Sequence, residues 1–250
     1  MPKQVVPESA RRRRRRTKQG AVLSEQVIVE TALRMLREHG GEGLTARRLG
    51  LALGADPSTL YRYFRGMDDL TLAIGDELIG RALDGWAPTG DWRADLRGLG
   101  LRIHRAYLAH PQAAVLTASR VSGRAREIVA DEAVLGILRT AGFTDPAAVR
   151  IYHAFIDQSL AFAALDAASL ALPAAARAAD EEMWASTYAR LPARTHPHIA
   201  ATADLLAARM NDSAYPLALE MLLDSAALQR ARQDAGPPSA PPDQAAGGAL

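Results

Sequence analysis

The stretch TARRLGLALGADPSTLYRYF, Thr45 to Phe64, crowds hydrogen-bond donors around a glycine and an Asp-Pro pair. Arg47, Arg48, Arg62 and the adjacent Arg65 carry guanidinium groups, Thr45, Ser58 and Thr59 carry hydroxyls, and Tyr61 and Tyr63 carry phenols. Donors of these types meet phosphate oxygens, and arginine in particular reads base edges in the major groove of duplex DNA. The residues for catalysis are not arranged in the same way. There is no Gly-x-Ser-x-Gly, phosphate-binding loop, dinucleotide fingerprint or His-Glu-x-x-His, and the acidic pairs Asp68-Asp69 and Glu181-Glu182 are adjacent, so each pair splits between two sides of a helix. With 0 cysteines, disulfides, thiolate metal sites and cysteine nucleophiles are excluded. His196 and His198 flank Pro197 and read as loop residues, not as a metal pair, so neither metal nor cofactor is expected.

The elements that must position the donors are short helices with their own start signals. Ser24 can cap a helix running to His39, Thr45 one running to Ala52, and Asp56, followed by Pro57 at the first helical position, one running to Phe64. Between the last two, Gly54 sits where a sharp turn needs positive φ, as in a helix-turn-helix. Leu49 and Leu53 share a face, as do Leu60 and Phe64, so the turn can close over a small core with Leu44 and the first helix. Arg47, Ser58, Thr59, Tyr61, Arg62 and Tyr63 are then expected largely outside. A segment pinned on one side and donor-rich on the other suits the major groove. An ordinary helical hairpin with a polar surface is the alternative that spacing leaves open.

The rest of the 250 residues, 48% hydrophobic and 23% charged, reads as helical almost throughout. Ile28, Ala32, Met35 and Leu36, and then Leu96, Leu99, Ile103 and Tyr107, repeat at helical spacing, and breakers divide the chain into about nine or ten helices. The expected fold is all-α, an N-terminal three-helix helix-turn-helix domain followed by a larger helical domain. The expected boundaries are a disordered basic arm at 1–22, the helix-turn-helix at 23–66, the helical body at 67–233 and a disordered Pro/Gly-rich tail at 234–250. The net charge of +2 hides an asymmetry: residues 1–65 hold 14 Lys/Arg against 6 Asp/Glu, the remainder 16 against 22. A basic front on an acidic body points to a polyanion partner for the front alone. No signal peptide or membrane-spanning helix is expected, because Asp166 and Pro173 interrupt the alanine-rich region, and the chain reads as cytoplasmic.

The segment LTARRLGLALGADPSTLYRYFRGMDDLTLAI, Leu44 to Ile74, resembles the DNA-binding domain of the TetR family of bacterial transcriptional regulators at the turn glycine, the Leu-Tyr pair, Phe64 and the Asp-Leu that opens the following helix. Later segments, YLAHPQAAVLTASR and IYHAFIDQSLAFAALDAA, resemble the tetracycline-repressor type of C-terminal domain. The resemblance implies a ligand-responsive regulator, by default a repressor, that binds a palindromic double-stranded operator as a homodimer. Within it Arg47, Ser58 and Arg62 are implied as base readers and Thr45, Thr59, Tyr61 and Tyr63 as phosphate contacts, with Arg48 and Arg65 alongside. Met67 stands where the family often has a phosphate-reaching lysine, and Arg65 is the nearby substitute. The implied homodimer uses the helices near 145–168 and 213–231. The implied small-molecule cavity has His104, Tyr107, Tyr152, Phe155, Asp157, Phe162 and Trp184 as candidate lining. PQAAVLTASR lacks the histidine through which tetracycline repressors hold a magnesium–drug complex, which argues against that effector. A non-specific polyanion binder working through Arg11 to Arg16, and less favoured an all-α enzyme, are the other readings. Deleting residues 11–16 is expected to flatten the salt dependence of DNA binding, since each phosphate contact adds to that slope; an unchanged slope in a salt titration would make the run an idle tail.

Overall fold

Ser24 opens the first helix as expected: its hydroxyl accepts the Val27 N–H at 3.2 Å, and Gly40, at φ 68°, ends α1 (Glu25–His39). The computed structural model describes residues 23–235, so the expected arm at 1–22 and all but the first two residues of the expected tail lie outside the described residues. Thr45 caps α2 (Ala46–Leu53), which stops at Gly54 in the left-handed region, φ 60°. Asp56 then accepts the Ser58 N–H at 2.8 Å and starts a 3₁₀ segment, Pro57–Arg62, in place of the α-helix expected to Phe64. Pro57 has no N–H to give and Ser58 and Thr59 are weak helix formers, so so short a piece settles into the tighter i→i+3 pattern.

The remaining α-helices are α3 (Met67–Leu83), α4 (Trp92–Leu108), α5 (Pro111–Thr117), α6 (Ala125–Thr140), α7 (Asp145–Ala171), α8 (Ala174–Ser186), α9 (Pro197–Arg209) and α10 (Tyr215–Asp234), and the described residues contain no strand. The fold is all-α, an N-terminal helix-turn-helix and a larger helical body. His198 lies in the first turn of α9 and not in the loop expected for it, whereas His196 is the non-helical cap residue just before that helix. One continuous cluster of buried side chains runs from Ile28, Leu49, Leu60 and Phe64 through Ile74 and Leu78 to Leu99, Leu138, Phe155 and Tyr215. Helix α3 packs on α1 and α5 and also on α4 and α6, so it belongs to both halves. By length and mean hydropathy, 1.2 over its best window, α7 is apolar enough to cross a membrane, a weak signal that core helices of water-soluble proteins also give. Here it is the strut against which α4, α5, α6 and α10 pack. No residue of α8 or α9 is buried.

Where α4, α7 and α10 meet, the core is polar as well as apolar. Ser159 donates to the Phe155 carbonyl at 2.7 Å and so accepts from the Tyr215 hydroxyl, also at 2.7 Å. Burial pushes the Tyr215 phenol up to about 12. His104 stacks on Tyr215 with ring centroids 4.8 Å apart and meets Asp166 through Nε2 at 2.7 Å, while Ser213 donates to the same carboxylate oxygen. Gly100 allows this approach: a Cβ there would lie 2.5 Å from the Tyr215 hydroxyl and 3.1 Å from Leu219. Gly136 in α6 faces open space. Gly100→Ala should therefore lower unfolding free energy by about 1–3 kcal/mol through overpacking, whereas Gly136→Ala should raise it by about 0.5–1 kcal/mol, as read by urea denaturation.

Candidate nucleic-acid interface and internal cavity

Most of the donors singled out in the sequence stay at the surface around the turn. Arg47, Arg48, Ser58, Tyr61, Arg62 and Arg65 are exposed, with Tyr61 at 56%. The i→i+3 period of the 3₁₀ segment places Pro57, Leu60 and Tyr63 on one edge and brings Ser58 with Tyr61, and Thr59 with Arg62, onto the other two. This sorts the side chains differently from an α-helix. Tyr63, expected largely outside, is half-buried, and its hydroxyl donates to the Leu23 carbonyl at 2.9 Å. Thr59 is half-buried too. The Thr45 hydroxyl accepts the Arg48 N–H at 3.3 Å, which leaves its proton free to be donated outward. Met67 opens α3 with its side chain partly in the core, and Arg65 stands exposed beside it.

Immediately after this surface, α3 presents a row of carboxylates to the larger body. Asp68 takes two guanidinium nitrogens of Arg120 at 2.9 and 3.0 Å, and Asp69 takes Arg124 at 2.5 Å. The Arg65 N–H and Arg124 hold the Asp69 carboxyl below its ordinary range. Arg124 also lies over the Phe64 ring, 5.9 Å from its centroid. Two turns on, the buried Asp76 accepts the N–H groups of Arg126 and Glu127, both at 3.0 Å, and so caps α6 from a neighbouring helix where Arg124, its own capping residue, supplies no side-chain bond. Glu77 binds Arg126 and Arg81, and Arg81 continues to Glu30 of α1 at 2.6 Å and to the ring of His110. Burial and the facing Arg81 guanidinium lower the His110 pKa.

Arg120, which α3 holds through Asp68, lies on the wall of a cavity of about 570 Å³ between α3, α4, α6 and α7. Its walls are largely apolar, with Ile103, Ile156 and Leu160 among them, and Arg120, Glu127, Asp131, His153 and Asp157 bring charge or titratable groups. Of the residues expected to line such a space, Tyr107, Tyr152 and Asp157 do. His104 and Phe162 instead surround Tyr215, Phe155 is sealed in the core, and Trp184 of α8 stacks on Tyr188 just past the end of that helix, with ring centroids 4.9 Å apart. Glu127, Asp131 and Arg120 were not legible as lining groups, because nothing local in SRVSGRAREIVADE marks which charges turn inward. Burial, aided by the Glu127 carboxylate, pushes the Tyr107 phenol up, and burial together with Asp131 does the same to Tyr152. Burial also raises Asp131, with the Tyr152 hydroxyl acting against it.

Residues 28–74 match the family model described as bacterial regulatory proteins, tetR family, and residues 85–227 match the tetracyclin repressor-like C-terminal domain. The HTH-type transcriptional repressor DrrR1 of Streptomyces coeruleorubidus is 32% identical over 121 residues, 48% of this chain and 44% of that protein. The tetracycline repressor protein class C of Escherichia coli is 32% identical over 124 residues, 49% of this chain and 56% of that protein. The chain thus spans about half the length of the curated relatives it matches. A crystal structure of a possible TetR family transcriptional regulator from Streptomyces coelicolor A3(2) is 28% identical, with a TM-score of 0.69 over 84% of this chain and 100% of that one. The TetR family protein ActR of Streptomyces coelicolor, in complex with actinorhodin, shares the fold at a TM-score of 0.72 and 22% identity, over 85% of this chain and 100% of that one.

A carboxyl whose pKa is raised by folding binds its proton more tightly in the folded state, so its cost to stability is absent below the unfolded value of 3.8 and complete above the raised folded value. Asp131→Asn should therefore be more stable than the parent at pH 7, with the difference vanishing as denaturation is repeated towards pH 3; a difference independent of pH would contradict this origin.

Proposed function

The chain belongs to the TetR family of bacterial regulatory proteins, and we propose that it is a ligand-responsive transcriptional repressor. It binds a palindromic DNA operator as a homodimer in the cytoplasm and is released by a small molecule held in the cavity. The observation that carries this reading is that one helix, α3, starts where the donor surface ends and grips the cavity wall through Asp68, Asp69 and Asp76. A ligand that shifts Arg120 or the start of α6 moves the partners of those carboxylates, and α3 passes the displacement to the recognition segment. By linkage, a ligand that prefers the arrangement unable to bind DNA lowers operator affinity, and the operator lowers ligand affinity by the same factor. Within this reading Arg47, Ser58 and Arg62 read bases, while Thr45, Arg48, Thr59, Tyr61 and Arg65 set the register on phosphates. Tyr63 acts mainly as an anchor through Leu23. The role is regulatory, not enzymatic.

Exposed apolar residues support pairing through α7 and α10. Leu217, Met221 and Leu228, 62%, 62% and 61% exposed, follow one stripe of α10, and on α7 Ala154, Ala161, Leu165 and Ala168 form an exposed stripe of small and apolar residues. Two such pairs of helices make a four-helix interface that covers both stripes.

Selecting bound DNA from a random pool should return a palindrome whose half-sites are about 34–36 Å apart, one helical turn. Arg62→Ala should cost about 1–3 kcal/mol at that site and relax its preference, and Met221→Glu should give monomers by sedimentation with a matching loss of operator affinity. Recovery of unrelated sequences whose binding disappears with salt would instead favour the polyanion binder.

A further inference from the structure

Granting the effector role given to the cavity above, we infer that its occupant is an amphipathic cation: a flat apolar body bearing an ammonium-type group that sits between Glu127 and Asp131. The two carboxylates are four residues apart on α6 and share one face of the helix, a like-charge arrangement that destabilises a helix unless a cation lies between them. Glu127 Oε2 is occupied by the Ser122 and Gly123 N–H groups, at 2.7 and 3.2 Å, and by the Ser122 hydroxyl. Its Oε1 accepts no hydrogen bond among the described residues. Asp157 brings a third carboxylate to the lining from α7.

Among the described residues, no positive charge in the lining is free to answer them. Arg120 is the one Lys or Arg among the residues around the cavity, and both of its terminal nitrogens are committed to Asp68. His153 is exposed at the rim. An anion entering this space would meet the carboxylates of Glu127 and Asp131, with Asp157 exposed at the rim beside His153, whereas a cation meets the open Oε1 of Glu127 and the rings of Tyr107 and Tyr152, whose faces attract positive charge. The raised proton affinity of Asp131 fits the same picture, since burial beside Glu127 already disfavours its charge. Ile103, Ile156 and Leu160 provide the apolar surface for the body of the ligand.

The test uses the full chain and three fluorescent probes with one tricyclic body: 9-aminomethylanthracene, 9-anthracenemethanol and 9-anthracenecarboxylate, which are cationic, neutral and anionic at pH 7. Anisotropy titrations should give the ammonium probe a Kd about tenfold or more below that of the carboxylate, with the alcohol between. Asp131→Asn and Glu127→Gln should each weaken the ammonium probe by about tenfold and leave the alcohol unchanged. Melting curves on both variants establish that they are folded, and Asp131→Asn leaves the Ser122 contacts of Glu127 intact. Equal affinities, the reverse order, or no binding by any probe would overturn the assignment of charge. Operator release, followed on labelled DNA in the same samples, separates the two levels. Release by the neutral or anionic probe would keep the effector role while removing the cation, and selective ammonium binding without release would keep the cation while removing the effector role.

Discussion

The carboxylate of Asp76, buried in α3 and accepting the first N–H groups of α6, is the contact on which the arrangement of the two halves rests. A helix start has N–H groups with no partner of their own and a partial positive charge, and leaving them unmet inside the molecule costs free energy. By meeting them from another helix, α3 makes its own position a condition of α6's. Asp68, Asp69 and Glu77 repeat the theme with guanidinium partners, so the contact between the N-terminal unit and the cavity wall is directional and polar. Polar contacts of this kind have preferred geometries and can be exchanged for others, whereas an apolar seam of the same size would tolerate sliding without signalling it.

Just before α3 begins, the anchoring is apolar. Leu60 and Phe64 fix the recognition segment to the core, and Tyr63 adds a hydrogen bond to the residue just before α1. The donors on the remaining edges therefore sit on a base that does not depend on them, and removing Arg62 or Tyr61 takes away chemistry without taking away structure.

What could be read from the sequence follows from how local its cause is. Ser24, Thr45, Asp56 with Pro57, and Gly54 each act within a few residues of themselves, and each does what its chemistry requires. The 3₁₀ character of Pro57–Arg62 was not legible, since the two helix types differ little in so short a piece, and with it went the inward turn of Tyr63. The cavity was harder. Tyr107, Tyr152 and Phe155 all lie on apolar-spaced helices, and spacing alone does not say whether a ring faces a packed neighbour or an open space; Phe155 faces the former and Tyr152 the latter. The grip of α3 on α6 joins residues some fifty positions apart, as Asp76 and Arg126 are, and no periodicity reports such a pairing.

The two helices that bury nothing, α8 and α9, stand apart from this economy of contacts. Substitutions and changes of length there disturb neither the cavity nor the recognition segment, because surface positions without packed partners are nearly neutral to folding. Among the described residues this excursion is thus the stretch whose sequence the packed core constrains least, room in which the surface can change while the fold beneath it stays as it is.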